Sequence, residues 1–187
     1  GLTVHMMEED FDTGNILAQK AVKVTKDFNL NELHEQLAHE QAACVLDVFE
    51  NYLKTGVLDQ QSQDEDQATY VPQRYPEDGI IDWDWPASRI EGLVKALPLP
   101  KYPGAFTYSG VQKIIISKAE SVYCPPYFCT PGQVVRVKKD GSVWVKTGDT
   151  CIELQEIVIE EERVAKKASN VLRRGKKLGF NPQIEIM

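Results

Sequence analysis

Long apolar runs are missing from this sequence. Its hydrophobic stretches stay strand-sized, as at Ile114-Ile115-Ile116, far short of the ~20 residues a bilayer-crossing helix needs. A signal-like start is missing as well, because the chain opens Gly1-Leu-Thr-Val-His5 and meets acid by Glu8. An opening directly in a strand, without Met, suggests that upstream sequence is lacking. Cysteine is scarce, with Cys44, Cys124, Cys129 and Cys151 as the whole set. The pair in Cys124-Pro-Pro-Tyr-Phe-Cys129 has no second close pair to complete the four ligands of a structural zinc site. Scattered reduced thiols, no metal and a cytoplasmic location are therefore expected. Basic residues are scarce in the first part, where residues 1–117 hold 9 Lys and Arg against 19 Asp and Glu. Residues 118–187 reverse this with 12 against 9, so the two parts have different electrostatic jobs.

What is present permits a core. Hydrophobic residues make up 42% and charged residues 26% of 187, enough for one compact domain or a truncated one with a small companion. Leu2, Val4 and Met6 alternate with Thr3 and His5, the period of a half-buried strand. After Glu8-Glu9-Asp10 and Asp12-Thr13-Gly14, a second strand is expected over Ile16–Val24. Asn29 with Glu32 forms a capping-box pattern. Leu30, Leu33, Leu37, Val45, Phe49 and Tyr52 then keep helical spacing up to Gly56, a natural stop. Residues 59–67 are too polar to pack and read as an exposed linker. Pro86 opens a second helix with Ile90, Leu93, Val94 and Leu97 inward, ended by Pro98, Pro100 and Pro103.

Beyond Gly104 the pattern becomes short strands and turns: Ala105–Ser109, Gln112–Glu120, Gln133–Lys138, Ser142–Thr147 and Cys151–Val158. Tight turns fall at Asp140-Gly141 and Gly148-Asp149. Five such strands suit an OB-like β-barrel, and the tail from Glu160 returns to helical composition. The fold class expected is α/β, with residues 1–100 as one domain and residues 101–187 as the barrel.

The sharpest local feature is Asp12-Thr13-Gly14. A carboxylate on a Gly-containing turn between strands stands at a sheet end, where it can act as a base. The plainer alternative is that Asp12 caps its own turn through the backbone. An aspartic-protease dyad also uses Asp-Thr-Gly, but the flank here is Glu-Glu-Asp-Phe, and Gly79-Ile80-Ile81 reverses the order of that family's later signature. Arg173, Arg174, Lys176 and Lys177, with Lys166-Lys167 earlier, are positioned to neutralise phosphates; the alternative is a solvated face balanced by Glu160-Glu161-Glu162.

Several motifs occur together and in order. Gly1–Leu17 contains the strand, the acidic loop and Asp12-Thr-Gly-Asn-Ile-Leu17. It is followed by Ala68-Thr-Tyr70, Glu77-Asp-Gly-Ile-Ile-Asp-Trp83, Pro86-Ala87, Ile90 and Lys95-Ala-Leu97. Then come Tyr102-Pro-Gly-Ala-Phe-Thr-Tyr108, Pro131-Gly132 and Val145-Lys-Thr-Gly-Asp149. This succession over most of the chain resembles 10-formyltetrahydrofolate-dependent formyltransferases of the methionyl-tRNA formyltransferase kind.

The resemblance implies part of a Rossmann-like catalytic domain followed by the barrel. It also implies formyl transfer to a primary amine, with 10-formyltetrahydrofolate as donor and methionyl-tRNA as the first choice of acceptor. Nucleotide-linked amino sugars are the second, since their formyltransferases share the Gly-Ala-Phe-x-Tyr stretch; a non-catalytic RNA- or partner-binding module is a third reading. Members use an Asn, a His and an Asp at the formyl group. Asp12 matches the Asp, whereas the Asn and His belong to upstream segments, so the chain alone is expected not to turn over. His5 does not match the family's histidine and reads as a packed or capped residue. The loop Glu8–Phe11 falls where relatives hold the pterin, largely by backbone, which makes Glu9, Asp10 and Phe11 the folate-binding candidates. The cations Arg173, Arg174, Lys176 and Lys177 become candidates for tRNA. Trp83 and Trp85 are read as packing the junction between domains, or else as stacking on a base or sugar.

Overall fold

A computed structural model describes residues 1–26 and 28–179. The chain divides into two compact units, Gly1–Gln73 and Arg74–Met187. The division falls before the second helix.

In the first unit, β1 (Leu2–His5) and β2 (Ile16–Lys20) form an antiparallel hairpin with Leu2 opposite Lys20 and His5 opposite Ile16. The second strand stops at Lys20, short of the expected Val24. Helix α1 (Leu30–Thr55) starts and ends as its caps dictate. The Asn29 side chain accepts from Asn31 and Glu32 N–H, Glu32 answers to the Asn29 N–H, and Gly56 closes the end at φ 72°. Its apolar stripe is only partly covered. Leu30, Leu33, Leu37 and Val45 are half-buried, but Phe49 is 59% and Leu53 81% exposed. Length explains this: 26 residues make a helix about 39 Å long, while a five-residue strand reaches only about 17 Å. The helix outruns the hairpin that covers it.

The second unit holds the larger core. Its strands are β3 (Ala105–Ser109), β4 (Gln112–Val122), β5 (Val134–Val137), β6 (Val143–Lys146), β7 (Cys151–Ile159) and β8 (Ala165–Lys167). They form one sheet in the order β3-β4-β7-β6-β5, with β8 on β7, and every named pairing is antiparallel. The two edges are joined by the segment after Gly175. Val134 N–H donates to Lys176 O (2.8 Å), Leu178 N–H to Gly132 O (2.8 Å), and Gly179 N–H to Tyr108 O on β3 (2.9 Å). This strap curls the sheet into the small barrel expected, and it covers edges that would otherwise pair with other chains.

Inside lie Ile114, Ile116, Val134, Val143, Val145, Ile152, Leu154, Ile157, Leu172 and Leu178. Helix α2 (Ala87–Ala96) adds Ile90 and Val94 to the same core. Its Pro86 has no capping side chain, and the cap comes from across the barrel: Asp149 Oδ1 accepts from Ala87 N–H at 2.9 Å. Asp149 is tied further by Thr150 N–H and the Thr147 hydroxyl. Burial opposes its ionisation, but these hydrogen bonds outweigh burial and hold its carboxyl below the usual range.

Two expectations are corrected here. The tail beyond Glu160 does not form an α-helix within residues 160–179; it supplies β8, a 3-10 turn at Ala168–Asn170 and the edge strap. The edges of β7 and β5 offer this segment ladder bonds, and tertiary pairing overrides its helical composition. The thiols are not all reduced. Cys124 and Cys151 form a disulfide with Cα atoms 5.9 Å apart, because the β4–β7 register sets Val122 opposite Cys151 and brings Cys124 alongside. Cys44 and Cys129 remain free. Among the described residues no helix is long and apolar enough to cross a membrane, and no three His, Cys, Asp or Glu converge as a metal site would require.

Candidate active site

The turn carrying Asp12 is held at its base and bare at its tip. Met6 N–H donates to Asn15 O at 3.0 Å, closing the loop from His5 to Ile16. Gly14 lies so near Met6 that an added Cβ would sit 1.8 Å from Met6 O, so no larger residue fits without moving the loop. Asp12 takes a left-handed backbone, φ 60°, which Asp tolerates better than most residues. Its side chain is 94% exposed, and among the described residues it accepts no hydrogen bond within the turn. His5 Nε2 lies 3.6 Å from its Oδ1. The self-capping alternative finds no bond to rest on among the described residues, and the contact recorded for the carboxylate is the imidazole of His5. His5 is half-buried, with Nδ1 2.8 Å from Met6 O, which fixes the ring beside the acid.

The candidate folate-holding loop stands beside it. Phe11 is 99% and Met7 92% exposed, and Glu9 and Asp10 are exposed too. Thr13 Oγ1 donates to Asp10 O at 3.2 Å. Phe11 and Asp12 sit at the corner of a turn between Asp10 and Thr13, and the loop from Met7 to Phe11 lies outside both strands of the hairpin.

Sequence reasoning missed the polar segment 59–67. It is exposed as expected, but it is bound to the Asp12 turn. Ile16 and Gln61 exchange two backbone bonds of 2.7 and 2.9 Å, Asn15 Nδ2 donates to Gln60 Oε1 at 3.1 Å, and Gln63 Nε2 donates to both Asp12 O and Gly14 O. Nothing in the local sequence announces these bonds, because the partners lie 45 to 51 residues apart.

The remaining candidates lie in the second unit. Arg173, Arg174, Lys176 and Lys177 are exposed along the edge strap. Arg173 donates to Ser169 O. Lys166 pairs with Glu162, and Lys167 donates to Asp140 O. Trp83 is not at a surface: it is 5% exposed in the core, donating to Thr107 Oγ1 at 3.0 Å. The Arg89 guanidinium lies 3.9 Å above the Trp85 ring. The most enclosed carboxylate is Glu153, which accepts from Lys138, Ser142 and Trp144. Burial opposes its charge, and these three donors overcome it, leaving the carboxyl lowered. All three donors belong to the barrel itself, which makes this network a brace of the β6–β7 pair.

Comparison with known proteins gives concordant matches. Residues 74–174 match the family model described as "Formyl transferase, C-terminal domain", and residues 1–49 match that described as "Formyl transferase". The structure of HypX from Aquifex aeolicus in complex with tetrahydrofolic acid superposes with a TM-score of 0.63 at 18% identity, over 91% of this chain and 29% of that one. A variant of the same HypX gives 0.63 at 19% identity with the same coverage. The methionyl-tRNA formyltransferase from Clostridium thermocellum aligns at 20% identity over 64% of this chain and 50% of its own, with a TM-score of 0.46. The chain thus spans under a third of the length of the HypX structures.

Proposed function

The chain belongs to the formyl transferase family, and from that premise we propose that Asp12 is the base-side carboxylate of an enzyme moving a formyl group from 10-formyltetrahydrofolate to a primary amine. The observation that carries this reading is the exposed carboxylate of Asp12, beside His5, on a pinned turn. The donor is supported by the exposed loop Glu9–Phe11 beside Asp12 and by the tetrahydrofolic acid held in the HypX structure.

The chemistry follows from the acceptor. An amine attacks only when uncharged, and it must lose a proton once its nitrogen has bonded to the formyl carbon. Asp12 takes that proton, directly or through one water. The bond from the carbon to the donor's nitrogen then breaks, and the proton passes to that nitrogen. Glu9, Asp10 and Phe11 belong to the loop that offers its backbone to the pterin, and Phe11 presents its ring to the same ligand. His5, 3.6 Å from the acid, limits where the carboxylate can swing.

Methionyl-tRNA is the acceptor we assign first. Its support is the exposed run Arg173, Arg174, Lys176 and Lys177, four cations within five residues, which would neutralise phosphates in a salt-dependent way. The test is formyl transfer by the whole gene product to methionyl-tRNA and, separately, to a nucleotide-linked amino sugar. Transfer to the tRNA alone supports the assignment, and transfer to the sugar alone overturns it.

A further inference from the structure

We propose that Gln63 is a positioning residue for Asp12, its side-chain amide fixing the main chain on which the carboxylate stands. The inference rests on the reading of Asp12 given above. One amide nitrogen spends its two N–H groups on two carbonyls of the same turn, Asp12 O at 2.6 Å and Gly14 O at 2.7 Å. Spanning residues 12 and 14 this way holds the turn's two arms at a set separation. Asp12 needs that support, because at φ 60° a residue with a Cβ tends to relax out of the left-handed region.

The anchor is itself anchored. The paired bonds between Ile16 and Gln61 and the contact of Asn15 with Gln60 seat the segment 60–63 against the start of β2. Gln63 is half-buried while every other residue from 59 to 70 is exposed, as expected if this one side chain has a task. The residue type is demanding. Glu would set a third acceptor against two carbonyls, and Asn is one methylene short of reaching both.

The pattern also separates positioning from simple stitching of loops. Among the described residues both side-chain bonds of Gln63 end on the main chain of the Asp-x-Gly turn, and neither involves the Asp12 carboxylate.

Two measurements test this, one of them independent of activity. Backbone 15N relaxation on the 187-residue chain should show Asp12 and Thr13 rigid, with order parameters near ~0.85, falling below ~0.6 in Gln63→Ala and Gln63→Glu, with the second unit unchanged. In the whole gene product, Gln63→Ala should lower kcat for formyl transfer about 10- to 100-fold, with KM for both substrates little changed. Added to Asp12→Asn, it should lower kcat no further. A rigid Asp12 in both variants overturns the proposal, as does a multiplicative loss in the double variant. If no acceptor is formylated at all, the formyl-transfer reading fails, and relaxation alone decides whether Gln63 holds Asp12.

Discussion

At the scale of single residues, the carboxylates fall into two kinds of surroundings. Glu153 and Asp140 are enclosed by donors, whereas Asp12 is bare. The Ser142 N–H and hydroxyl, with the Lys138 ammonium, pull Asp140 down to about 2 from its ordinary 3.8. Glu153 is lowered from 4.5, the three donors overcoming burial. A depressed carboxyl stabilises the fold above its unfolded value and loses that contribution as pH falls through the folded one. Thermal stability of the barrel should therefore hold near neutrality and decline from about pH 4.5 toward about pH 2. Glu153→Gln should cost roughly 1.5–3 kcal/mol at pH 7, the worth of hydrogen bonds to a charged group, and flatten that decline. Melting curves across pH check both, and an unchanged acid slope in the variant would contradict the assignment to Glu153.

At the scale of elements, caps and turns were legible wherever their partners were local. Asn29 with Glu32, Gly56, and Asp140-Gly141 are pairs within a few residues, and each shaped its element as the sequence implied. Distant partners were not legible. The strap at residues 175–179, the Gln63 bridge and the Cys124–Cys151 bond depend on sheet register, which no local pattern encodes. The cap of α2 is of this second kind. Asp149→Ala should remove the acceptor for Ala87 N–H and cost about 1–2 kcal/mol by urea titration. A loss under a few tenths would mean that water caps the helix equally well. Gly148→Ala should be harsher, since its Cβ would lie 2.0 Å from Asp84 O.

At the scale of the whole molecule, the two units are unequal. The second has a continuous core with Ile90, Ile114, Ile152, Leu154 and Ile157 fully buried, while α1 in the first buries only Cys44 and leaves Leu46, Phe49, Tyr52 and Leu53 exposed. Residues 74–187 expressed alone should keep one cooperative unfolding transition, and residues 1–73 alone should not. Calorimetry of the two pieces checks this, and a sharp transition in the smaller piece would contradict it. Family membership was legible from motifs spread along the chain. The acceptor was not, because Arg173, Arg174, Lys176 and Lys177 form a surface run of ordinary composition.

The most direct test of the central claim is formyl transfer by the whole gene product with Asp12→Asn, at saturating 10-formyltetrahydrofolate and acceptor. The account predicts a fall in kcat of about 10²- to 10⁴-fold, the range for loss of a general base, with folding unchanged because the Asp12 side chain makes no hydrogen bond in the turn. A variant that keeps full kcat would contradict it.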